Sequence, residues 1–410
     1  MNAALPASFT RLAWANLGAQ SAEQLSLAAT PIVAVLALGA GPGEIGFLAA
    51  VQTVPFLLLS IPLGIAADRT SRRGLMIAAE SLRALALLAL VAVVAAGWLS
   101  IGVLALLGFI GAVGTVGFSV AAPALVPSLV PRQALTRANG RLELARSAAF
   151  AAGPALGGAL VAWAGAPAAF ILATMLSGAA IAMLARIAEP SRPAAVARHP
   201  WAELREGGRL VWREPLLRPV LLTAVIWNIS WFVLQAAYVP YAVRWLGLSA
   251  SGVGVTLAAM GAGMVAGALL APAVLRRIRF GAAVMVGPAL SVIASTAMVA
   301  TLRWPTGALA GIAFFLFGIG PILWTITSTT LRQTMTPGPM LGRVSAIFLT
   351  VNAGARPVGA ALGGAIGAAW GEAACLQVAL AGFVVQAGLI AASRIRRLEA
   401  LPAPAYSTPS

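Results

Sequence analysis

The sequence is short of charge and of the residues that bind metals or form disulfides. Only 9% of its 410 residues are charged, and all 27 basic residues are arginine. One cysteine, Cys375, excludes a disulfide within the chain, and one histidine, His199, leaves no cluster of zinc ligands. Without lysine there is no phosphate-binding Gly-Lys motif, and no nucleophile and base lie close together. The sequence therefore argues against an enzyme and against a bound cofactor or metal.

Apolar residues are present in long continuous runs. They make up 60% of the chain, and the mean hydropathy is +0.94. A hydrocarbon core of about 30 Å needs roughly 20 apolar residues per helix, whereas a barrel needs short stretches of alternating polarity. We predict an all-α integral membrane protein with twelve transmembrane helices. The predicted spans are residues 11–39, 44–66, 75–97, 99–122, 139–163, 166–188, 218–243, 250–275, 282–301, 304–330, 343–368 and 371–393.

The arginines indicate the orientation of these helices. The net charge is +16, but the arginines are scattered in short loops and form no single face for nucleic acid. With both termini inside, 21 arginines lie in or beside cytoplasmic segments, four lie within spans, and only Arg244 and Arg303 lie outside. We expect a multi-pass protein of a bacterial inner membrane with both termini cytoplasmic. No cleavable leader is evident, so the first apolar run is expected to remain a membrane helix.

The two halves of the chain repeat at an offset of 206 residues. The offset aligns Pro131, Leu135, Arg137, Gly153, Leu156, Gly157 and Gly158 with Pro337, Leu341, Arg343, Gly359, Leu362, Gly363 and Gly364. We predict two pseudo-symmetric six-helix halves, residues 1–188 and 216–393, with a substrate cavity between them near the membrane midplane. Residues 189–215 form the predicted cytoplasmic linker, and residues 394–410 the predicted disordered tail.

The linker has the pattern of an amphipathic helix. Apolar Trp201, Leu204, Leu210, Val211 and Trp212 alternate with Arg205, Arg209 and Arg213. Such a helix is expected at the anionic inner leaflet, which makes membrane lipids an expected partner. A partly ordered tether is the alternative.

A motif follows the second predicted span. It consists of Gly64, Asp68, Arg69, Arg72 and Arg73. It resembles the signature Gly-x-x-x-Asp-Arg-x-Gly-Arg-Arg/Lys of the major facilitator superfamily, with Ser71 in place of the second Gly. The resemblance implies that Asp68, the sole aspartate, acts as a cytoplasmic gate between the halves, and a helix N-terminus such as that of the eleventh span would stabilise it. The alternative is that these arginines only set the topology.

The fifth predicted span resembles the glycine-rich signature of exporting branches of this superfamily. The matching residues are Gly140, Gly153, Pro154, Gly157 and Gly158, and Ala149 replaces one expected Gly. This span is expected to bend or slide at the interface between the halves, or simply to pack closely. With residues 118–139 and the linker, the chain resembles the branch that contains macrolide-efflux proteins and the enterobactin exporter.

Polar and aromatic residues at helical spacing mark four spans. The resemblance implies that spans one, four, seven and ten line the cavity, where polar side chains escape lipid. The candidates are Asn16, Gln20, Thr115, Ser119, Trp227, Asn228, Trp231, Gln235, Tyr238, Trp324 and Thr327. Aromatic residues with few charges suit an amphipathic substrate, although each aromatic taken alone has packing as its alternative.

Charged residues within the spans are candidates for coupling. Glu23 has no opposite charge nearby in sequence, and burial favours its protonated form, so it is the candidate proton carrier. A neutral structural glutamate is the alternative. Two i,i+3 pairs, Glu80 with Arg83 and Glu143 with Arg146, are interpreted as structural pairs or as gate or relay elements. Arg356, near mid-depth, needs a carboxylate, carbonyls, water or an anionic substrate. Proton-driven exporters of the resembled family often carry an arginine in the fourth span, and this chain has none there.

These observations predict a monomeric secondary transporter that couples efflux of a small amphipathic molecule to protons by alternating access. The proton gradient is the expected energy source. One alternative is export or import of a charged metabolite such as a siderophore, with Arg356 as its partner. Another is a non-transporting membrane sensor, for which a linker of about 27 residues leaves no room for a soluble domain.

Overall fold

The computed structural model describes residues 6–131, 134–189, 200–337 and 340–402. Within these ranges the chain is helical and has no strand. The helices are α1 (Ala7–Leu38), α2 (Pro42–Arg69), α3 (Arg72–Ala95), α4 (Ile101–Leu129), α5 (Leu135–Ala164), α6 (Ala166–Ala185), α7 (Pro200–Arg213), α8 (Leu217–Arg244), α9 (Ala250–Arg277), α10 (Phe280–Ala300), α11 (Gly307–Met335) and α12 (Leu341–Ala392). A 3₁₀ turn, Arg394–Arg397, follows.

All helices except α7 are long and apolar enough to cross a membrane. The longest, α12, contains Gly371 with φ 79° and ψ 179°, a backbone conformation that is open to glycine and breaks the helix. The break divides α12 into residues 341–370 and 372–392. The eleven long helices therefore provide twelve spans, which confirms the predicted fold class.

Proline explains one difference from the predicted spans. The fourth span was expected to end at residue 122, before Pro123, yet α4 continues through Pro123 and Pro127 to Leu129. Proline is tolerated within membrane helices because neighbouring groups satisfy the freed backbone atoms.

Four helices begin at hydroxyl caps, in which the side chain accepts a backbone N–H of the first turn. The capping residues are Ser71, Ser100, Ser249 and Thr306.

The glycines of the internal repeat make equivalent contacts in both halves. In α5, Gly153 and Gly157 face α1, and Gly158 faces Gly254 of α9 in the other half. In the first part of α12, Gly359 and Gly363 face α8, and Gly364 faces Gly46 of α2 in the other half. A Cβ atom at Gly158 would lie 2.9 Å from the Cα atom of Gly254, so only glycine allows this approach.

Candidate substrate and proton site

A buried cluster of charge lies in the membrane part of the first half. The guanidinium group of Arg83 on α3 forms an ion pair with Glu80, one helical turn away. Its Nη1 atom donates to Thr115 Oγ1 of α4 at 3.1 Å and lies 3.9 Å from Glu23 Oε2 of α1. The side chains of Glu80 and Arg83 are 0% and 5% exposed, and that of Glu23 is 18% exposed. Glu23 is therefore the less buried of the two carboxylates of this cluster.

A close approach of α3 and α4 positions this cluster. A Cβ atom at Gly114 would collide with the backbone carbonyl of Ala79 and lie 3.3 Å from the backbone nitrogen of Arg83. The missing side chain brings the neighbouring Thr115 against the Arg83 guanidinium group. Among the described residues, the Glu80 Oε2 and Arg83 Nε atoms are buried and have no hydrogen-bond partner.

A second cation faces the cluster from the other half. Arg356, in the first part of α12, lies over the ring of Phe56 of α2, with 5.7 Å between its Cζ atom and the ring centroid. It interacts electrostatically with Glu23 across the interface between the halves. Its Nε atom and the Oδ1 atom of Asn352, one turn earlier, are buried and have no hydrogen-bond partner among the described residues.

The second predicted ion pair is present but accessible. Arg146 Nε lies 2.9 Å from Glu143 Oε2, and the Arg146 side chain also lies over the ring of Phe150 at 5.4 Å. The side chains of Arg146 and Glu143 are 36% and 57% exposed. This pair on α5 is therefore much less buried than the pair on α3.

The polar candidates of the first half differ in accessibility. Asn16 is buried, and its Nδ2 atom donates to the Leu142 carbonyl at 3.2 Å, so it joins α1 to α5. Thr115 is buried beside Arg83, whereas Gln20 is partly exposed and Ser119 is exposed. Thus Gln20 and Ser119 are accessible, whereas Asn16 and Thr115 serve as internal hydrogen-bond partners.

Three of the four aromatic candidates of the second half, Trp227, Trp231 and Tyr238, form one packed group, in which Phe314 joins Trp231 to Tyr238. Trp227 and Trp231 stack with centroids 5.4 Å apart, and the Trp227 Nε1 atom donates to Ser291 Oγ at 3.0 Å. Tyr238 is fully buried, and its hydroxyl bonds to Thr256 of α9. Thr327 is also buried and bonds to the carbonyl of Leu323 in its own helix. Trp227, Asn228, Gln235 and Trp324 keep partial exposure.

The loop between α2 and α3 is fixed by an acidic residue that the sequence patterns did not reveal. The carboxylate of Glu189, after α6, accepts the backbone N–H groups of Arg72 and Arg73, each at 3.0 Å. Ser71 Oγ, which caps α3, bonds to the same carboxylate at 2.6 Å. The serine that departs from the family signature is thus a helix cap, and Glu189 stabilises the positive end of α3.

The other residues of the motif after α2 differ in their contacts. Arg73 also donates to the Ala185 carbonyl at 2.8 Å, and Arg72 donates to the Ala124 carbonyl. Gly64 packs near Val120, and Arg69 is exposed. The structure does not describe the side chains of Asp68, Trp201 and Leu204 or the surroundings of Gly140. His199 lies outside the described residues.

At the opposite end of the bundle, Arg244 joins the two halves. Its Nη2 atom donates to the carbonyls of Gly39 and Ala40, between α1 and α2, at 2.7 and 3.0 Å. Its Nη1 atom lies 3.4 Å from Glu372 Oε1 of its own half. Nearby, Pro42 and Gly43 of α2 pack against Gly367 and Ala368 of α12. We call this end, defined by Gly39, Ala40, Arg244 and Glu372, the clasped end.

Residues 12–360 match the sequence model of the family described as Major Facilitator Superfamily. The chain is 28% identical over 388 residues to an uncharacterized MFS-type transporter of Sinorhizobium fredii, covering 88% of this chain and 89% of that protein. It is also 28% identical over 264 residues to the enterobactin exporter of Citrobacter koseri, covering 64% of this chain and 62% of the exporter's length.

Two solved structures are similar in fold. The nucleoside transporter NupG has a TM-score of 0.75 at 12% identity, with 94% of this chain and 98% of that chain covered. A bacterial homologue of the iron transporter ferroportin in the inward-facing state has a TM-score of 0.72 at 18% identity, with 93% and 97% covered.

Proposed function

The chain belongs to the major facilitator superfamily, and from this premise we propose that it exports a small amphipathic molecule in exchange for protons. It is a multi-pass transmembrane transporter rather than an enzyme. The observation that carries the proposal is the position of Glu23, partly exposed on α1 and 3.9 Å from the buried Arg83. The similarity to an enterobactin exporter supports the direction. We place the protein as a monomer in a bacterial inner membrane.

Glu23 is the group in this cluster that is best placed to change its charge. Arg83 already neutralises Glu80 through a direct ion pair, and breaking such a buried pair is costly. At 3.9 Å, Glu23 interacts more weakly with the same cation, and its side chain is less buried than that of Glu80. A proton on Glu23 therefore leaves the Glu80–Arg83 pair intact. Loss of that proton creates a carboxylate that attracts cationic or hydrogen-bond-donating substrates, so substrate and proton compete.

The contacts between the halves support an alternating-access cycle. The close approach of Gly46 to Gly364 and the contacts of Arg244 both lie at or near the clasped end, because Gly46 is in the second turn of α2. The positive-inside pattern places the clasped end outside, because Arg244 and Arg303 are the only arginines assigned to that side. We therefore interpret this conformation as closed to the outside. Substrate enters from the cytoplasm, and Asp68 takes part in closing the inner end after the halves rock.

The proposal is tested by proton release on ligand binding in detergent, with a panel of dyes, drugs and siderophores. Wild type is compared with Glu23→Gln and with Glu143→Gln, a matched control at an accessible carboxylate on α5. A ligand that releases protons from wild type and Glu143→Gln, and binds Glu23→Gln without release, supports antiport. Equal release from Glu23→Gln would refute the role of Glu23. Dye movement in inverted vesicles gives the direction: accumulation indicates export.

A second candidate substrate, an anionic metabolite such as a siderophore, is favoured by the surroundings of Arg356. The chain has no acidic residue between Glu214 and Glu372, so Arg356 has no carboxylate in its own half within the membrane. The Arg356 Nε and Asn352 Oδ1 atoms are buried without a hydrogen-bond partner among the described residues, so an anion that reached them would satisfy two polar groups. An anion at Arg356 would weaken the attraction between Arg356 and Glu23, so Glu23 would take up a proton. Proton uptake on binding, in place of release, identifies this candidate.

A further inference from the structure

The linker helix α7 is fixed to the second half by its apolar face. Val211 is 1% exposed and belongs to a core cluster with Leu217 of α8, Leu331 of α11 and Phe348 of α12. Glu206 forms an ion pair with Arg343, near the beginning of α12. A Cβ atom at Gly207 would lie 3.1 Å from the Arg343 backbone, so the two helices are in close contact. One side of α7 is therefore occupied by protein.

The other side of α7 carries cations and a tryptophan. Arg205, Arg209 and Arg213 are exposed, and at 100° per residue they lie with Trp212 within one stripe of the helix. Trp212 is 57% exposed, and the guanidinium group of Arg218, in the first turn of α8, lies 4.6 Å from its ring centroid. Glu206, the nearest described acidic residue of α7, is paired with Arg343. The stripe thus has three arginines, to which α8 adds Arg218, and Glu206 at the edge of the stripe is paired with Arg343.

We propose that Trp212, Arg218 and the exposed arginines of α7 form a binding site for the headgroup of an anionic phospholipid. The site lies where α7 joins the membrane helix α8, which is the level of headgroups beside the bundle. A tryptophan at this level packs its ring among the upper acyl and headgroup atoms, and the arginine held on the ring remains next to the phosphate. Each arginine near an anionic surface strengthens binding by about fivefold. A zwitterionic headgroup offers no net charge to these arginines, so the site selects anionic lipids.

Native mass spectrometry of the full-length protein tests this site with phosphatidylglycerol and phosphatidylcholine as probes. Wild type is expected to bind the first phosphatidylglycerol at least about fivefold more tightly than phosphatidylcholine. The double variant Trp212→Ala/Arg218→Gln is expected to lose this preference. The matched control Trp245→Ala/Arg303→Gln changes an exposed tryptophan and an exposed arginine at the clasped end and is expected to keep it.

Two results would overturn the proposal: equal affinity of wild type for the two lipids, or equal losses in the variant and the control. Should the double variant not fold, wild type at rising salt concentration provides the test. Salt is expected to weaken phosphatidylglycerol binding and leave phosphatidylcholine binding unchanged. Parallel weakening of both would contradict a charge-selective site.

Discussion

Nη1 of Arg83 lies 3.9 Å from Oε2 of Glu23, on a different helix, while the same guanidinium group pairs with Glu80 on its own helix. One buried cation therefore serves two carboxylates, and they are not equivalent. Glu80 is fully buried and directly paired, whereas Glu23 is partly exposed and farther away. This inequality is the reason that we propose a structural role for Glu80 and a titrating role for Glu23.

Removing Arg83 should destabilise the protein more than removing the whole pair. Arg83→Gln leaves Glu80 buried without a cation, which costs about 3–5 kcal/mol of unfolding free energy. The double variant Glu80→Gln/Arg83→Gln removes both charges and should recover most of that loss. Unfolding in a denaturing detergent titration measures the difference. As a control, Glu143→Gln/Arg146→Gln removes a half-exposed pair, for which about 0–1 kcal/mol is expected. A double variant no more stable than Arg83→Gln would contradict the structural role of Glu80.

Ser71 should stabilise the loop between α2 and α3 as a helix cap. Ser71→Ala removes the acceptor for the Gly74 N–H and the bond to Glu189, so a loss of about 1 kcal/mol is expected. Ser71→Gly, which restores the residue of the family signature, should cost less, because glycine is itself an acceptable cap. The same unfolding titration measures both. Ser177→Ala is the control, since the buried Ser177 hydroxyl has no described partner and its loss should not destabilise. Alanine and glycine variants of equal stability would contradict the capping role.

The repeat and the membrane spans could be predicted because both depend on local patterns. Apolar length determines a span whatever its neighbours are, and the aligned glycines of α5 and α12 make the same class of contact in both halves. The pair of Glu80 and Arg83 could also be predicted, because residues three apart share a helix face.

Contacts between helices could not be predicted in the same way. The approach of Glu23 to Arg83 depends on the packing of α1, α3 and α4, and nothing in the sequence near Glu23 indicates a cation. The position of Asn352 near Arg356 could have been predicted, since Asn352 lies four residues before Arg356 on the same helix. The contact of Glu189 could not have been predicted, because Glu189 follows α6 and contacts a loop more than a hundred residues earlier in the sequence.

The two crossing points between the halves should tolerate only glycine in this conformation. A Cβ atom at Gly46 would lie 2.6 Å from the Gly364 nitrogen, and one at Gly254 would lie 2.5 Å from the Pro154 carbonyl. Gly46→Ala and Gly254→Ala should therefore force the halves apart. Because a loss of about 1.4 kcal/mol of packing energy lowers the population of this conformation tenfold, transport should fall by about tenfold or more. Vesicle transport of an identified substrate is the measurement.

Gly178→Ala is the matched control for these variants, because a Cβ atom at this position in α6 would meet no neighbouring atom within 4 Å. This change should leave transport intact and stabilise the helix by up to about 1 kcal/mol. Equal transport by all three variants would show that the glycine crossings do not limit the cycle.

Arg244 should hold the clasped end shut. It provides two hydrogen bonds to carbonyls of the other half, at 2.7 and 3.0 Å, and the other contacts described there are the packing of Pro42 and Gly43 against Gly367 and Ala368. Each hydrogen bond from a charged group contributes about 1.5–3 kcal/mol, so the loss of even one of the two in Arg244→Ala should raise the population open at this end by at least about tenfold. The measurement is maleimide labelling of Ala40→Cys, a position now 3% exposed, against the low background of the buried Cys375. Arg303→Ala, which removes the other arginine assigned to this side, should not change the labelling rate. If Arg244→Ala labels no faster than Arg303→Ala, packing between α2 and α12 alone keeps the end closed, and Arg244 serves only to set the local geometry of the loop that it contacts.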